Sequence, residues 1–218
     1  MTRLIFVRHG ETAHPAGLVI SSRPPGCPLT ERGVGQATEL AQTLVSLKPA
    51  AIYSSPLLRA RQTAAILAAA CRLDVNLLDD LRECDAGDLE GHGDERSFAR
   101  FNATFDHWYL RDHLDFPLGP AGESGRSGLA RIRRTMHTLD RTHPDHVVVV
   151  VGHATVLQFA LTRLCDNLPA DFGYGRWISN VGTVVIDSGA LRTTCLSWDG
   201  SPMVQTLESP AEIWSRTC

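Results

Sequence analysis

The fold is decided by a stretch near the start of the chain, Leu4-Ile5-Phe6-Val7-Arg8-His9-Gly10-Glu11-Thr12. Four apolar residues with high strand propensity are followed at once by an arginine, a histidine and a glycine. This pattern predicts a buried β-strand that ends at Arg8 and His9. Because arginine is permanently charged and histidine can gain a proton, the strand end is a candidate anion-binding site.

The size and composition of the chain set limits on what it does. It has 218 residues, a net charge of −3 and a pI near 6.3, so its charge gives no reason to expect a nucleic-acid or membrane partner. Neither a leader pattern nor a run of 18 apolar residues occurs, and we therefore expect a cytoplasmic protein. The length predicts a single domain over residues 1–218 with one inserted region.

The cysteine and histidine spacings do not favour a metal site. The six cysteines are scattered without a Cys-x-x-Cys pair, which is typical of reduced thiols. No His-x-His, His-Glu-x-x-His or paired-carboxylate spacing is present, which argues against a metallohydrolase. We expect neither a metal nor another cofactor.

Strands and helices are predicted to alternate along the first half of the chain, and this alternation predicts a parallel sheet with right-handed crossovers. The run 146–151 is an unbroken series of β-branched residues after its first histidine, so both faces of that strand should be covered. The predicted helices span residues 30–48, 55–71, 123–142 and 154–165, and the predicted strands span 4–7, 50–54, 73–78, 146–151, 183–187 and 191–198. The expected fold is a three-layer α/β/α sandwich with a mostly parallel central sheet.

Residues 94–119 are rich in aromatic and charged side chains and should contain one or two short helices. We interpret this region as a small inserted cap. Most of its aromatic residues are expected to lie in the core, and Trp108 and Tyr109 are the best candidates for reaching a ligand.

Two predicted strands end at histidines, His9 and His153. In open α/β sheets, ligands bind just beyond the carboxyl ends of the strands. We therefore expect the sheet to bring Arg8, His9 and His153 together, although they are far apart in the sequence.

Five motifs resemble those of the histidine phosphatase superfamily, the phosphoglycerate-mutase-like proteins. They occur in this order: Arg8-His9-Gly10-Glu11-Thr12, then residues 55–63 with Arg59, then residues 81–91 with Glu83, then Pro120-Ala121-Gly122-Glu123-Ser124, and finally Val151-Gly152-His153-Ala154. Their agreement in order and in predicted structural support is hard to attribute to chance.

The resemblance implies a role for each matching residue. His9 would be the nucleophile that becomes phosphorylated, and Glu83 would donate a proton to the leaving group. His153 would be the second catalytic histidine and, with Arg8 and Arg59, would bind the phosphoryl group. Other residues at the matching positions are Glu11, Thr12, Glu123 and Ser124, for which substrate contact is one interpretation; for Glu123 and Ser124 helix capping is preferred.

The chemistry of these residues agrees with the implied activity. A phosphomonoester is a compact dianion, which arginine binds with two hydrogen bonds without losing its charge. If the arginines supply the charge, phosphoryl transfer requires no metal. The expected function is thus a phosphoric monoester hydrolase of the histidine acid phosphatase type, acting on a small phosphorylated metabolite.

Two alternatives stay open at the level of the sequence. A cofactor-dependent phosphomutase of the phosphoglycerate type would return the phosphoryl group to substrate instead of to water. The C-terminal stretch 207–218 carries only Arg216 as a cation, whereas dedicated mutases have a basic tail. A non-catalytic phosphate-binding module is the other alternative, and the complete set of motif residues argues against it.

The sequence does not identify the substrate. The chain has Ala13 and His14 after the first motif, where relatives often carry an asparagine, and Cys27 where they carry an aspartate before Pro-Leu-Thr. Those positions contact substrate in relatives, so specificity cannot be transferred. The oligomeric state is also open, with a homodimer as one alternative.

Overall fold

The structure, a computed structural model, describes residues 1–13 and 18–203 of the chain. Within these residues the centre of the molecule is one sheet of seven strands. In chain order the strands are β1 (Thr2–Arg8), β2 (Ala51–Ser54), β3 (Val75–Leu77), β4 (Val147–Gly152), β5 (Thr183–Ser188), β6 (Thr193–Trp198) and β7 (Ser201–Pro202). The helices are α1 (Glu31–Ser46), α2 (Leu58–Cys71), α3 (Glu95–Phe105), α4 (Gly125–Thr142) and α5 (Ala154–Leu164).

The order of strands across the sheet is β3-β2-β4-β1-β5-β6-β7. The pairs β2–β3, β2–β4 and β1–β4 are parallel, as the alternating helices and strands predict. The predicted terminal hairpin of β5 and β6 pairs antiparallel with β1, and the short strand β7 completes the sheet. Neither β7 nor the place where the hairpin attaches was predicted from the sequence.

Helices cover both faces of the sheet, which confirms the three-layer α/β/α architecture. Along β1, Leu4 and Phe6 belong to the core that includes residues of α4 and α5, whereas Ile5 and Val7 belong to the core with α1 and α2. This separation follows from the two-residue repeat of a strand. All four central valines of β4 (Val148–Val151) have an exposed fraction of 0%, as expected for a strand buried on both faces.

The register of β1 and β4 sets the position of the site. Arg8 lies opposite Gly152, and the backbone N–H of His9 donates to the Gly152 carbonyl oxygen at 3.1 Å. The two strands therefore end at the same level. His9 and His153, the next residue of each strand, are placed side by side at the carboxyl end of the sheet.

The inserted region contains α3, whose first turn is capped by Asp94 through a hydrogen bond from the Ser97 N–H. A single wider turn, Asp106–Leu110, continues the helix. This confirms the prediction of helical structure between residues 94 and 119. The division of the chain into one domain with a cap stays a prediction.

One expectation for this region is wrong. Trp108 (0% exposed) and Tyr109 (5% exposed) lie in the hydrophobic core rather than at a ligand site. The Trp108 ring packs 4.8 Å from the Phe159 ring, and its indole N–H donates to the Phe116 carbonyl oxygen. These contacts satisfy both the apolar and the polar parts of the indole, so nothing of it is left to face a ligand.

None of the helices in the described part of the chain is long and apolar enough to cross a membrane.

Candidate active site

A cavity of about 510 Å³ opens at the carboxyl ends of the parallel strands. One end of the cavity is formed by Arg8, His9, Arg59 and Glu83, and these four residues are called the inner end. Its outer end is formed by apolar side chains of residues 18–20, of α3 and of Trp177. The position agrees with the general rule for ligand sites in open α/β sheets.

His9 is 7% exposed and is held in one orientation by its neighbour. Its Nδ1 lies 2.8 Å from the Gly10 carbonyl oxygen, which can only accept, so Nδ1 carries the proton and Nε2 carries a lone pair. Burial, followed by the charge of Arg59, lowers the pKa of His9 to about 3. His9 is therefore a neutral base at physiological pH, with Nε2 as its nucleophilic atom.

The glycine that follows His9 is required by close packing. A Cβ atom at Gly10 would lie 2.7 Å from the Gly33 carbonyl oxygen of α1, closer than van der Waals contact allows. The Gly10 N–H donates to the Thr63 hydroxyl of α2 at 3.0 Å. The turn after β1 is thus fixed against α1 and α2. Because His9 directly precedes this turn, its position is fixed as well.

Arg59 comes from the first turn of α2 and is 5% exposed. Its Nε donates to His9 Nε2 at 3.0 Å, and its Nη2 donates to the Ser21 carbonyl oxygen at 3.0 Å. Burial lowers the pKa of Arg59, with opposing contributions from nearby acidic groups, but a guanidinium group keeps its charge in proteins. A permanent cation therefore touches the nucleophilic nitrogen.

Arg8 is the second cation of the inner end. Its Nη1 donates to the Ile178 carbonyl oxygen at 2.8 Å, whereas its buried Nε has no hydrogen-bond partner among the described residues. Burial lowers the pKa of Arg8, and Glu83 opposes that shift. A buried N–H without a partner is costly, and an anion in the cavity would remove that cost.

Glu83 is oriented by backbone groups at the start of α5. Its carboxyl oxygens accept hydrogen bonds from the N–H groups of Thr155 at 3.0 Å and Val156 at 2.9 Å, and from its neighbour Cys84 at 2.9 Å. The α5 N-cap residue is His153, whose side chain makes no capping bond. Glu83 thus supplies the cap of α5 from a distant loop.

His153 is fully buried beside His9, with 5.3 Å between the ring centroids. Its Nε2 is hydrogen-bonded to the Ser55 hydroxyl at 2.7 Å, and its Nδ1 has no partner among the described residues. Burial, followed by the charge of Arg59, lowers the pKa of His153 well below its usual value. The structure therefore brings all five predicted site residues together: Arg8, His9, Arg59, Glu83 and His153.

A buried ion pair supports the loop that carries Glu83. Arg131 of α4 is 4% exposed and binds both carboxyl oxygens of Glu123, at 2.9 and 2.8 Å. Its Nη1 donates to the carbonyl oxygens of Asp80 and Arg82, each at 2.6 Å. Because Arg82 directly precedes Glu83, the pair fixes the backbone at the point where Glu83 leaves it.

The remaining predicted residues divide into two groups. Glu11 and Thr12 line the cavity, and Glu11 accepts a hydrogen bond from the Thr30 hydroxyl at 2.9 Å. Glu123 pairs with Arg131 and Ser124 caps α4 through its bond from the Ser127 N–H, so both have structural roles and neither lines the cavity. This agrees with the preference for capping at Ser124.

Sequence reasoning missed residues that reach the cavity from two other segments. Phe98 and Phe101 of α3 line it, as do Trp177 and Asn180 before β5. The Asn180 side chain also donates to the His9 carbonyl oxygen at 3.1 Å. The spacing of Phe98 and Phe101 places them on one helix face, which was a usable signal. The other two could not be placed without knowing that β5 pairs with β1.

Within residues 1–13 and 18–203, no three His, Cys, Asp or Glu side chains are grouped so that they could hold one metal ion. What the site offers is two guanidinium groups, a neutral histidine whose Nε2 lone pair accepts a hydrogen bond from one of them, and a carboxyl group, all lining one cavity. Such a set can bind a tetrahedral oxyanion and attack it with nitrogen.

Comparison with known proteins agrees with this chemistry. A model of the histidine phosphatase superfamily (branch 1) matches residues 4–200. The chain belongs to this superfamily. It is 32% identical to a metal-independent phosphoserine phosphatase from Arabidopsis thaliana over 75% of this chain and 69% of that one.

Two further similarities show the range of the superfamily. The chain is 40% identical to a probable phosphoglycerate mutase from Proteus mirabilis, over 50% of this chain and 48% of that one, so it spans about half the length of this relative. It superposes with a TM-score of 0.76 and 25% identity on a mutant phosphoserine phosphatase from Entamoeba histolytica in complex with phosphoserine, covering 92% of this chain and 98% of that one. Membership of the superfamily and the phosphatases among its relatives support phosphatase activity.

Proposed function

We propose that the protein is a metal-independent phosphomonoesterase that hydrolyses a small phosphorylated metabolite through a phosphohistidine at His9. The observation that carries the proposal is the state of His9. Its Nδ1–H is committed to the Gly10 carbonyl oxygen, which leaves the Nε2 lone pair facing a cavity that holds Arg59 and Glu83. A nucleophile, a cation for the phosphoryl oxygens and a proton donor are thus within one cavity.

The first half-reaction begins when the phosphoryl dianion binds to Arg8 and Arg59. The Arg59 Nε–H now bonded to His9 Nε2 turns to a phosphoryl oxygen and frees the lone pair. The Nε2–P bond forms as the P–O ester bond breaks, and Glu83 gives its proton to the leaving oxygen. The products are the free alcohol and phosphohistidine, with Glu83 ionised.

The second half-reaction uses the same groups in reverse. A water molecule attacks phosphorus and gives its proton to the Glu83 carboxylate, the new O–P bond forms, and the Nε2–P bond breaks. Inorganic phosphate leaves and both residues regain their first state. In this proposal the unpartnered Nδ1 of His153 contacts a phosphoryl oxygen once the dianion is bound, whereas in the structure His153 is fully buried and does not line the cavity.

The charge for this chemistry comes from the two guanidinium groups. Phosphoryl transfer depends mainly on positioning and on neutralising the equatorial oxygens, which Arg8 and Arg59 do from fixed backbone anchors. A metal ion would have to share the same oxygens with these cations. The proposal therefore predicts activity in the presence of a chelator.

A phosphomutase is the second candidate because the chain resembles a probable phosphoglycerate mutase over half of its length. The two functions share the first half-reaction and differ in whether water or a second substrate accepts the phosphoryl group. The C-terminal stretch 207–218, whose single cation argues against a mutase, lies outside the described residues.

The test is phosphate release from a panel of phosphorylated metabolites in the presence of EDTA. Wild type is compared with His9→Ala and with His137→Ala, which replaces an exposed histidine on α4 away from the cavity. We expect wild type and His137→Ala to release phosphate at equal rates and His9→Ala to release none above background.

Each outcome separates the candidates. Equal release by wild type and His9→Ala would contradict the proposal. Transfer of phosphate between metabolites without net release would favour the mutase. Binding of phosphate without either reaction would favour a non-catalytic phosphate-binding module.

A further inference from the structure

The outer end of the cavity is apolar, in contrast to the inner end. Leu18, Val19 and Ile20 line the outer end from one segment, and Phe98 and Phe101 line it from α3. Trp177 lies at the same cavity. A volume of about 510 Å³ is in the range of pockets that enclose an organic ligand, so there is room for a leaving group beyond the phosphoryl site.

The apolar walls are held in place by backbone hydrogen bonds. The Ile20 N–H donates to the His92 carbonyl oxygen at 2.9 Å, and the Gly91 N–H donates to the Ile20 carbonyl oxygen at 2.8 Å. Residues 18–20 are thereby attached to the chain that leads into α3. The two apolar segments are therefore connected through backbone hydrogen bonds of the fold.

Trp177 is fixed by an aromatic contact, with its ring perpendicular to that of Phe105 at a centroid distance of 5.3 Å. It nevertheless remains 46% exposed, and Leu18 is 79% exposed. Large apolar side chains clustered at the mouth of a cavity expose surface whose burial would be favourable. An apolar ligand in the cavity would bury that surface.

The charges that line the cavity do not provide for a second anionic group. Among the described lining residues, the cations are Arg8 and Arg59, which both belong to the inner end. Glu11 lines the cavity as well, with Arg32 at 3.4 Å and the Thr30 hydroxyl at 2.9 Å. A carboxylate on the substrate would find no second cation among these lining residues, whose other polar side chains, such as Thr12, Ser22 and Asn180, are uncharged.

We propose that the substrate is a phosphate monoester of an apolar alcohol, with an alkyl or aryl group of several carbons, and not a phosphorylated amino acid or hydroxy acid. This rests on the phosphatase function proposed above. The phosphoryl group binds at the inner end, and the hydrocarbon part lies between residues 18–20 and the phenyl rings of α3. Burial of that hydrocarbon adds to the affinity in proportion to the apolar area removed from water.

The test measures binding, which does not depend on turnover. Three phosphonates that cannot be hydrolysed are titrated by calorimetry: ethylphosphonate, hexylphosphonate and phosphonoacetate, which carries an additional carboxylate. We expect hexylphosphonate to bind at least about tenfold more tightly than ethylphosphonate, because four more methylene groups are buried. Phosphonoacetate should bind more weakly than ethylphosphonate.

A matched pair of exposed leucines provides the variants. Leu18→Ser should reduce the advantage of hexylphosphonate over ethylphosphonate by at least about threefold. Leu191→Ser, at a residue 101% exposed and outside the cavity, should keep the wild-type advantage. Both positions are on the surface, so neither substitution should prevent folding.

The outcomes are distinct from those of the phosphatase test. Equal binding of the two alkylphosphonates, or tightest binding of phosphonoacetate, would overturn the inference and leave the phosphatase function intact. If Leu18→Ser did not change the ratio of the affinities for hexylphosphonate and ethylphosphonate, the proposed placement of the hydrocarbon would be overturned. Absence of binding by all three phosphonates, together with no phosphate release, would overturn both proposals.

Discussion

The two ends of the cavity differ in how their residues are held. At the inner end, His9 follows β1 directly, and Glu83 is bonded to backbone N–H groups of α5. At the outer end, apolar side chains come from a surface segment, from α3 and from the connection before β5. The sheet topology thus positions the inner end, whereas α3 and the connections around the sheet form the outer end, to which we assign the selection of substrate in our proposal.

The largest effect should follow from replacing Glu83, the proposed proton donor of the inner end. Glu83→Gln should lower kcat on alkyl phosphates by about a hundredfold to ten-thousandfold, because an alkoxide leaves poorly without a proton. Formation of phosphohistidine from p-nitrophenyl phosphate should be affected far less, since its leaving group needs no proton. The measurement is single-turnover release of the two alcohols.

The control is Glu39→Gln, which replaces an exposed glutamate on α1 and should leave both rates unchanged. If Glu83→Gln slowed the two esters equally, Glu83 would not act as the acid. The inner end would then consist only of the cations and His9.

A large loss of stability is expected when the buried ion pair between Arg131 and Glu123 is broken. Arg131→Met removes one partner of the buried ion pair with Glu123 and leaves the carbonyl oxygens of Asp80 and Arg82 without a donor. The free energy of unfolding should fall by about 3–5 kcal/mol, as measured by urea denaturation.

Arg134→Met is the matched control. Arg134 lies on the same helix as Arg131 and forms an exposed ion pair with Asp80. It should cost less than about 1 kcal/mol. If both variants lost the same free energy of unfolding, burial would not strengthen the Arg131 pair. The loop that carries Glu83 would then be held by other contacts.

The inner end should also make stability depend on pH. Burial lowers the pKa of His9 to about 3, whereas in the unfolded chain the pKa is about 6.5. Below pH 6.5 the unfolded chain therefore binds a proton that the folded chain does not, and the free energy of unfolding falls as the pH drops toward 3. This lost stability is at most about 1.4 kcal/mol per pH unit for one histidine.

His9→Gln should remove this contribution and make the pH dependence between 6.5 and 3 shallower. Urea denaturation at a series of pH values measures it. Above pH 7.5, where the histidine is neutral in both states, the pH dependences of wild type and His9→Gln should coincide. A steeper dependence in the variant would contradict the assignment of His9 as a buried neutral base.

The smallest effect is expected at the outer end. Trp177→Ala removes an aromatic surface from the cavity, and should raise KM for alkyl and aryl phosphates by about threefold to tenfold while changing kcat little. Steady-state kinetics on hexyl phosphate measures it. A fall in kcat with an unchanged KM would instead connect Trp177 to the chemistry and remove the distinction between the two ends.

Much of the inner end could be predicted because its residues are local to motifs. Arg8 and His9 follow a strand, Arg59 opens a helix, and His153 ends another strand, so the sequence position of each implied its place in the fold. The cap of α5 was not predicted: His153 occupies the N-cap position without a capping bond, and the helix N–H groups bond to Glu83 from a distant loop.

The outer end could not be predicted in the same way, because its residues depend on long-range packing. Trp108 and Phe101 belong to the same aromatic region, yet one lies in the core and the other lines the cavity. Trp108 faces the core because it packs against Phe159 of α5, a residue that is distant in the sequence. Asn180 reaches His9 only because β5 pairs antiparallel with β1, an attachment that no local pattern specifies.

The most direct test of the central claim is detection of the phosphorylated histidine. Glu83→Gln is mixed with p-nitrophenyl phosphate, quenched at alkaline pH and digested, and the peptide that contains His9 is analysed by mass spectrometry. The good leaving group spares the first half-reaction, and loss of the base slows the second, so phosphohistidine should accumulate on His9 and be absent from a double variant that also carries His9→Ala. Release of p-nitrophenol with no phosphoryl group on His9 at any time would contradict the mechanism.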